Sequence, residues 1–194
     1  MAQILIAYLT TDGQTRKVAE RLKQVIEQQS HRVTLASIRE QPDFDIKPFD
    51  VVVLGASVRY GSHGKPMHEF VQKNAALLDS KNNAFFSVNL VARKAEKRTA
   101  ETNAYVKKFL TLVPWKPKQL GIFAGKLDYP AYRFWDRWMI QMIMKMTDGP
   151  TDPKTVLEYT DWAAVEAFGR TLADSAKAPA RADASWQPRA QVAV

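Results

Sequence analysis

No cysteine occurs among the 194 residues, which excludes disulfides, thiolate metal sites and a cysteine nucleophile, and suits a reducing compartment. The three histidines, His31, His63 and His68, have no ligand-like pairing, so no metal site is expected. No GxGxxG follows any strand pattern, and there is no GxxxxGK(S/T). A response-regulator phosphoacceptor would want an Asp ending the second apolar strand, where Gly55-Ala56-Ser57 stands instead. The start MAQILIAY has neither a basic region nor a small-residue cleavage site, so no signal peptide is expected. No internal repeat is present. The most apolar segment, 132–146, is roughly 22 Å long as a helix, short of the ~30 Å of a bilayer core.

Basic charge is present, and it is regional. The chain carries a net charge of +8. Between Ala92 and Met146 twelve Lys/Arg face four Asp/Glu, so this region holds the whole excess. Such a concentration points to an anionic partner or, more plainly, to a solvated basic surface.

Apolar runs and amphipathic segments alternate along most of the chain. Gln3 to Tyr8, Val51 to Leu54, Ala84 to Val88 and Leu120 to Ala124 read as buried parallel strands, and His31 to Ile38 as an edge strand. Helices are expected over Thr15–Gln28, Lys65–Leu78, Thr99–Val113 and, capped by Asp161, up to Ala173. The fold class this predicts is α/β, a doubly wound five-stranded parallel sheet. A single domain is expected over 1–175, with an insert at about 126–154 and an Ala/Pro-rich flexible tail over 176–194. Thr155 to Tyr159 is a candidate to rejoin the sheet.

Ligands of such a sheet lie beyond the carboxyl ends of its strands. Three loops leave those ends. Thr10, Thr11, Asp12, Gly13, Gln14 and Thr15 bring hydroxyls, a glycine and a helix start, which suit a phosphate, or form an ordinary helix-capping turn. Ser57, Val58, Arg59, Tyr60 and Gly61 bring an aromatic ring able to stack on a flat heterocycle. Ser87, Val88, Asn89, Leu90, Val91 and Ala92 bring polar groups for a ring edge. A phosphate tethered to a planar ring fits this set, and flavin mononucleotide (FMN) is the cofactor it suggests.

The insert is of another kind. Ten of the fifteen residues in 132–146 are large and apolar, among them Tyr132, Phe134, Trp135, Trp138 and four methionines. Arg133, Arg137, Gln141 and Lys145 form a polar stripe at a spacing of four. Trp115, Trp135, Trp138 and Tyr132 offer flat apolar area, and Arg133, Arg137 and Lys145 suit propionates or lipid headgroups. A buried core helix is the plainer reading. Arg93 and Lys94 belong either to a substrate clamp or to a solvated loop. No general base is identifiable; His63, near the second loop, could move protons but is not put forward for that role.

Strand, Thr-x-x-Gly-x-Thr, helix resembles the flavodoxin superfamily, whose loop binds the FMN phosphate and whose strand order is 2-1-3-4-5. Asp12 stands where flavodoxins usually carry a hydroxyl; a carboxylate there is unfavourable unless it points away or caps the helix. The longer strings GASVRYG (55–61), SVNLVARK (87–94) and the 133–146 segment with its MIMKM are more specific. Together, over roughly residues 3 to 175, they are similar to the menaquinone-dependent protoporphyrinogen IX dehydrogenases of bacterial haem synthesis. The resemblance implies FMN-dependent oxidation of protoporphyrinogen IX in three two-electron steps. Electrons would pass to a membrane quinone, and the chain would sit peripherally on the anionic cytoplasmic face of the inner membrane. It assigns substrate and membrane contact to Arg93, Lys94, Arg133, Trp135, Arg137, Trp138 and Lys145. Two other readings are weighed. A flavodoxin-type electron carrier or generic FMN quinone reductase is typically acidic, unlike this chain. A flavin-free shell binding nucleic acid or lipid leaves the three loops without purpose, so nucleic acid is not expected as a partner.

Overall fold

The computed structural model describes residues 1–146 and 149–177. Five parallel strands form its centre: β1 (Gln3–Leu9), β2 (Arg32–Ser37), β3 (Val51–Arg59), β5 (Asn82–Val88) and β6 (Gln119–Phe123). They lie in the order β2-β1-β3-β5-β6, the 2-1-3-4-5 order of the expected fold. β4 (Ser62–His63) is a short antiparallel strand hairpinned onto the end of β3.

Near-continuous apolar runs make these strands, because both faces of the sheet are covered. On one face Ile4, Ile6, Val51, Val53 and Phe86 pack against Val18, Leu22 and Ile26 of α1 (Gln14–Glu27) and Val165 and Leu172 of α5 (Trp162–Ala176). On the other, Leu5, Val52, Leu54 and Phe85 meet Met67, Phe70 and Val71 of α2 (Lys65–Ser80) and Phe109 of α3 (Ala104–Leu112). Alternate residues of one strand thus serve opposite helical layers. The first two helices bury the residues that their spacing singles out.

Four expectations change. The run Val51–Leu54 continues as strand to Arg59, since Gly55 to Arg59 keep pairing with β1, β4 and β5. The third helix starts at Ala104 rather than Thr99, because buried Asn103 caps it with its side chain, accepting from Val106 N at 3.3 Å. Thr155–Tyr159 does not rejoin the main sheet. Instead β8 (Val156–Glu158) pairs antiparallel with β7 (Lys126–Asp128), and this ribbon closes the base of the insert. Trp115 is 1% exposed within the core and offers no surface to a ligand. Of the expected tail, Ala176 ends α5 and Lys177 caps it; residues 178–194 lie outside the described residues.

The insert carries α4 (Phe134–Met146). Its inner side is Asp136, Ile140 and Met144, the last two packing with Leu127, Tyr129 and Tyr132. Its outer side exposes Phe134, Trp135, Trp138, Met142 and Met146. It is not a buried core helix. Among the described residues no helix is long and apolar enough to cross a membrane.

A glycine is required in β3 by a close approach. A Cβ on Gly55 would lie 2.0 Å from the ring of Phe86, its partner on β5 and itself fully buried. Gly55→Ala is therefore expected to destabilise the fold by about 1–3 kcal/mol through overpacking, read as a lower urea midpoint with an unchanged slope.

Candidate functional site

The three strand-end loops lie side by side because β1, β3 and β5 are adjacent in the sheet. In the first, Thr10 Oγ1 accepts from Gly13 N at 3.1 Å and shapes the turn. Gly13, at φ 85°, is the N-cap of α1 and makes no side-chain cap. Thr11 and Asp12 are exposed. Thr15 is fully buried and its Oγ1 has no hydrogen-bond partner. Gln14 is also buried, but its amide donates to Glu158 Oε1 at 3.1 Å and Thr160 Oγ1 at 2.8 Å, tying the helix start to the chain leaving the insert.

The second loop is a hairpin rather than an open loop. Val58 pairs with His63 and Arg59 with Ser62, leaving Tyr60 and Gly61 as a two-residue turn with φ of 52° and 74°. Positive φ at both central residues is the hairpin turn whose twist matches its strands, and it strains a residue with a side chain. Tyr60 is held there 66% exposed, while Ser57 is half-buried at the root.

The third segment begins within β5, where Ser87 and Val88 are buried. A 3-10 turn over Leu90–Arg93 follows, capped by Asn89 Oδ1 accepting from Ala92 N at 3.0 Å. Leu90 and Val91 are half-buried on this turn and Ala92 is buried. A polar chain runs beneath it: Asn103 Nδ2 donates to Asn89 Oδ1 at 3.2 Å, Asn89 Nδ2 to Ser87 Oγ at 3.1 Å, and Ser87 Oγ lies 2.9 Å from His63 Nε2. His63 thus fastens the second loop to the third. Burial lowers its pKa from 6.5 to about 3, and His68 adds to the effect. A neutral imidazole shut into the core does not shuttle protons, and His63 is a structural tie. Asn103 was missed, since a lone Asn before a helix reads only as a cap.

Asp12 neither caps α1 nor points away from the site. Its Oδ2 accepts from Arg59 Nη1 at 2.7 Å. Arg59 Nη2 donates at 2.7 Å to Asp136 Oδ2, and Tyr60 Oη donates to the other oxygen of Asp136. The Tyr60 bond, followed by Arg59, holds the Asp136 carboxyl below its ordinary pKa. Partial burial raises that of Asp12 against the pull of Arg59. Asp136 also went unrecognised; its signal was a lone acid in an otherwise basic and apolar segment.

The remaining expected residues separate. Arg93 bonds Leu90 O at 3.2 Å and lies beside Gly149 at the end of the insert, and Lys94 separates two short 3-10 turns. Trp135 and Trp138 are exposed, as are Arg133 and Lys145. Arg137 is half-buried with its Nε sheltered, so the stripe at a spacing of four does not face one environment. Tyr132 is no free plate: it is 6% exposed, its hydroxyl donates to Lys126 O, and the Arg59 guanidinium lies 5.4 Å over its ring. Among the described residues no group of His, Asp or Glu is arranged to hold a metal ion.

The chain matches the Flavodoxin domain family over residues 5–154. It is 44% identical over 169 residues to the Protoporphyrinogen IX dehydrogenase (quinone) of Escherichia coli (strain K12), covering 87% of this chain and 93% of the relative. The chain belongs to the flavodoxin-domain protoporphyrinogen IX dehydrogenases. The Leishmania major member is 41% identical over 170 residues, covering 87% and 74%. Among solved structures, a flavodoxin from the domain Archaea superposes with a TM-score of 0.51 at 17% identity, covering 91% and 99%. Oxidised Flavodoxin 2 from Bacillus cereus does so with 0.53 at 17%, covering 90% and 99%. These last two bear on the fold alone. As a flavodoxin-domain dehydrogenase, the protein is an oxidoreductase whose family implies FMN. The first loop fits a phosphate, with an N-terminus lacking a side-chain cap and an orphaned buried hydroxyl at Thr15.

The depressed pKa of His63 has a measurable consequence. Below pH 6.5 the unfolded chain takes a proton there that the folded chain refuses until about pH 3. Its contribution to stability is therefore lost progressively as the pH falls from 6.5 towards 3. The His63 ring signals should not titrate between pH 5 and 8 by NMR, and His63→Gln should flatten the fall in stability over pH 6.5–4.

Proposed function

We propose that this dehydrogenase holds FMN across the three strand-end loops, oxidises protoporphyrinogen IX against it, and passes the electrons to a quinone at an anionic membrane surface. The observation that carries the reading is adjacency. The exposed Tyr60 at the hairpin tip is hydrogen-bonded to α4, whose outer side is aromatic and flanked by cations. The phosphate would be met by Thr10, Gly13, Thr15 and the α1 amides, the flat ring by Tyr60, and the ring edge by the Asn89–Ala92 turn. When bound, FMN supplies a two-electron acceptor.

This chain's own residues bind and orient. A macrocycle with acidic side chains finds flat apolar contact at Trp135 and Trp138 and countercharge at Arg133 and Lys145. The overall oxidation removes six electrons and six protons from the macrocycle and reduces three quinones to quinols. His63 takes no part in that proton transfer, being buried and neutral. Proximity and orientation are the contribution of the protein to the rate.

Attachment to a membrane is supported by the same face. Phe134, Trp135, Trp138, Met142 and Met146 are exposed together on one amphipathic helix. Arg133, Arg137 and Lys145 are the cations on or beside it, fewer than the whole basic region suggested. At about 1 kcal/mol each near anionic lipid, they support reversible peripheral binding together with the aromatic area. A cytoplasmic-side position at the inner membrane follows from this reading.

Purified protein should take up FMN and turn yellow. Under anaerobic conditions it should oxidise protoporphyrinogen IX only when a menaquinone analogue or comparable oxidant is present. A protein that takes up no FMN sinks the reading; one that reduces quinones but ignores the porphyrinogen favours the generic reductase. Reversing the two exposed cations, Arg133→Glu with Lys145→Glu, should weaken binding to anionic vesicles at least about 30-fold, from ~1 kcal/mol for each lost attraction. Unchanged vesicle binding would remove α4 from the membrane.

A further inference from the structure

We propose that Asp136 is the positioning residue through which α4 holds the flavin loops, so that the insert and the cofactor site bind and order one another. The inference rests on the reading of those loops as the FMN site. Tyr60 is two-thirds exposed, in a left-handed conformation that a tyrosine does not choose, and so packing into the body of the domain does little to orient its ring. Its hydroxyl is fixed instead by Asp136 Oδ1. The second oxygen of the same carboxylate takes Arg59 Nη2, while Arg59 Nη1 reaches Asp12 in the phosphate loop. The guanidinium also lies over Tyr132, just before α4. One carboxylate and one guanidinium thereby join the phosphate loop, the hairpin tip and the insert.

Asp136 is suited to this task. It stands in the first turn of α4, where the helix dipole favours an anion, and is only 7% exposed. Arg59 and Tyr60 shelter the carboxylate and satisfy both of its oxygens. The aromatic side chains of Phe134, Trp135 and Trp138 on either side of it are exposed. Asp136 points inwards to those loops and so links the two surfaces through side-chain hydrogen bonds. Coupling between two sites through one contact is reciprocal: if α4 steadies the hairpin for FMN, FMN must steady α4 to the same extent.

The experiment uses the full-length protein, with FMN affinity read by quenching of flavin fluorescence and α4 order read by amide hydrogen exchange over 134–146. In the wild type, FMN should slow exchange in α4 several-fold. Asp136→Asn should weaken FMN binding about tenfold and abolish that slowing. Tyr60→Phe, a change at an exposed residue that spares the fold, should weaken binding by a smaller factor. The double variant should be no weaker than Asp136→Asn alone, since both act through one contact. If the wild type binds FMN but Asp136→Asn and Tyr60→Phe bind it equally well, or α4 exchanges at the same rate with and without FMN, the coupling is overturned. A wild type that takes up no FMN overturns the cofactor reading itself.

Discussion

A parallel sheet with helices on both faces has its side chains committed to the core, and this constraint governs where the protein can act. β1, β3 and β5 are almost wholly buried, and their alternate residues serve two helical layers. Chemistry is left to the strand ends, where backbone amides and short polar side chains emerge together. The adjacency of the first, second and third loops is a consequence of the β2-β1-β3-β5-β6 order, which sets their parent strands side by side. Side chains of the loops then fasten neighbours to one another, His63 to Ser87 and Arg59 to Asp12.

What binds the insert to that scaffold is of a different nature. The β7–β8 ribbon closes its base, a small apolar cluster around Tyr129 and Met144 supports its inner side, and Arg59 joins it to two loops at once. Charge geometry thereby adds direction to the apolar packing that seats the insert against the strand-end loops. An ion pair of this type is weak evidence for stability; here its two oxygens and the Arg59 fork give it direction. Its partners are a strained tyrosine and an arginine on the hairpin, which suits a positioning role.

Much of the fold was legible because periodicity is set by local geometry. The apolar runs named the strands, and Val18, Leu22, Val25 and Ile26 named the buried face of α1. The helix capped by Asp161 was visible for the same reason. Less legible were the features whose partners are distant in sequence. The aromatic character of Trp115 suits a surface plate, yet it lies in the core, and residues 57–61, loop-like in composition, form most of a hairpin. Asp12 is held by Arg59, 47 residues away, rather than by the helix start beside it.

The α/β alternation, the family and the three segments that gather at the strand ends follow from spacing, composition and motif strings, local properties that the chain carries unfolded. Only the tertiary structure decided that Tyr60 leans on Asp136, that His63 is a neutral tie rather than a proton carrier, and that the aromatic side of α4 faces outwards. Each of these depends on which side chains meet across long separations and on how much water is left between them. Burial sets the pKa of His63, and two carboxylates far apart in the chain, Asp12 and Asp136, set the direction of Arg59. A linear pattern holds no record of either.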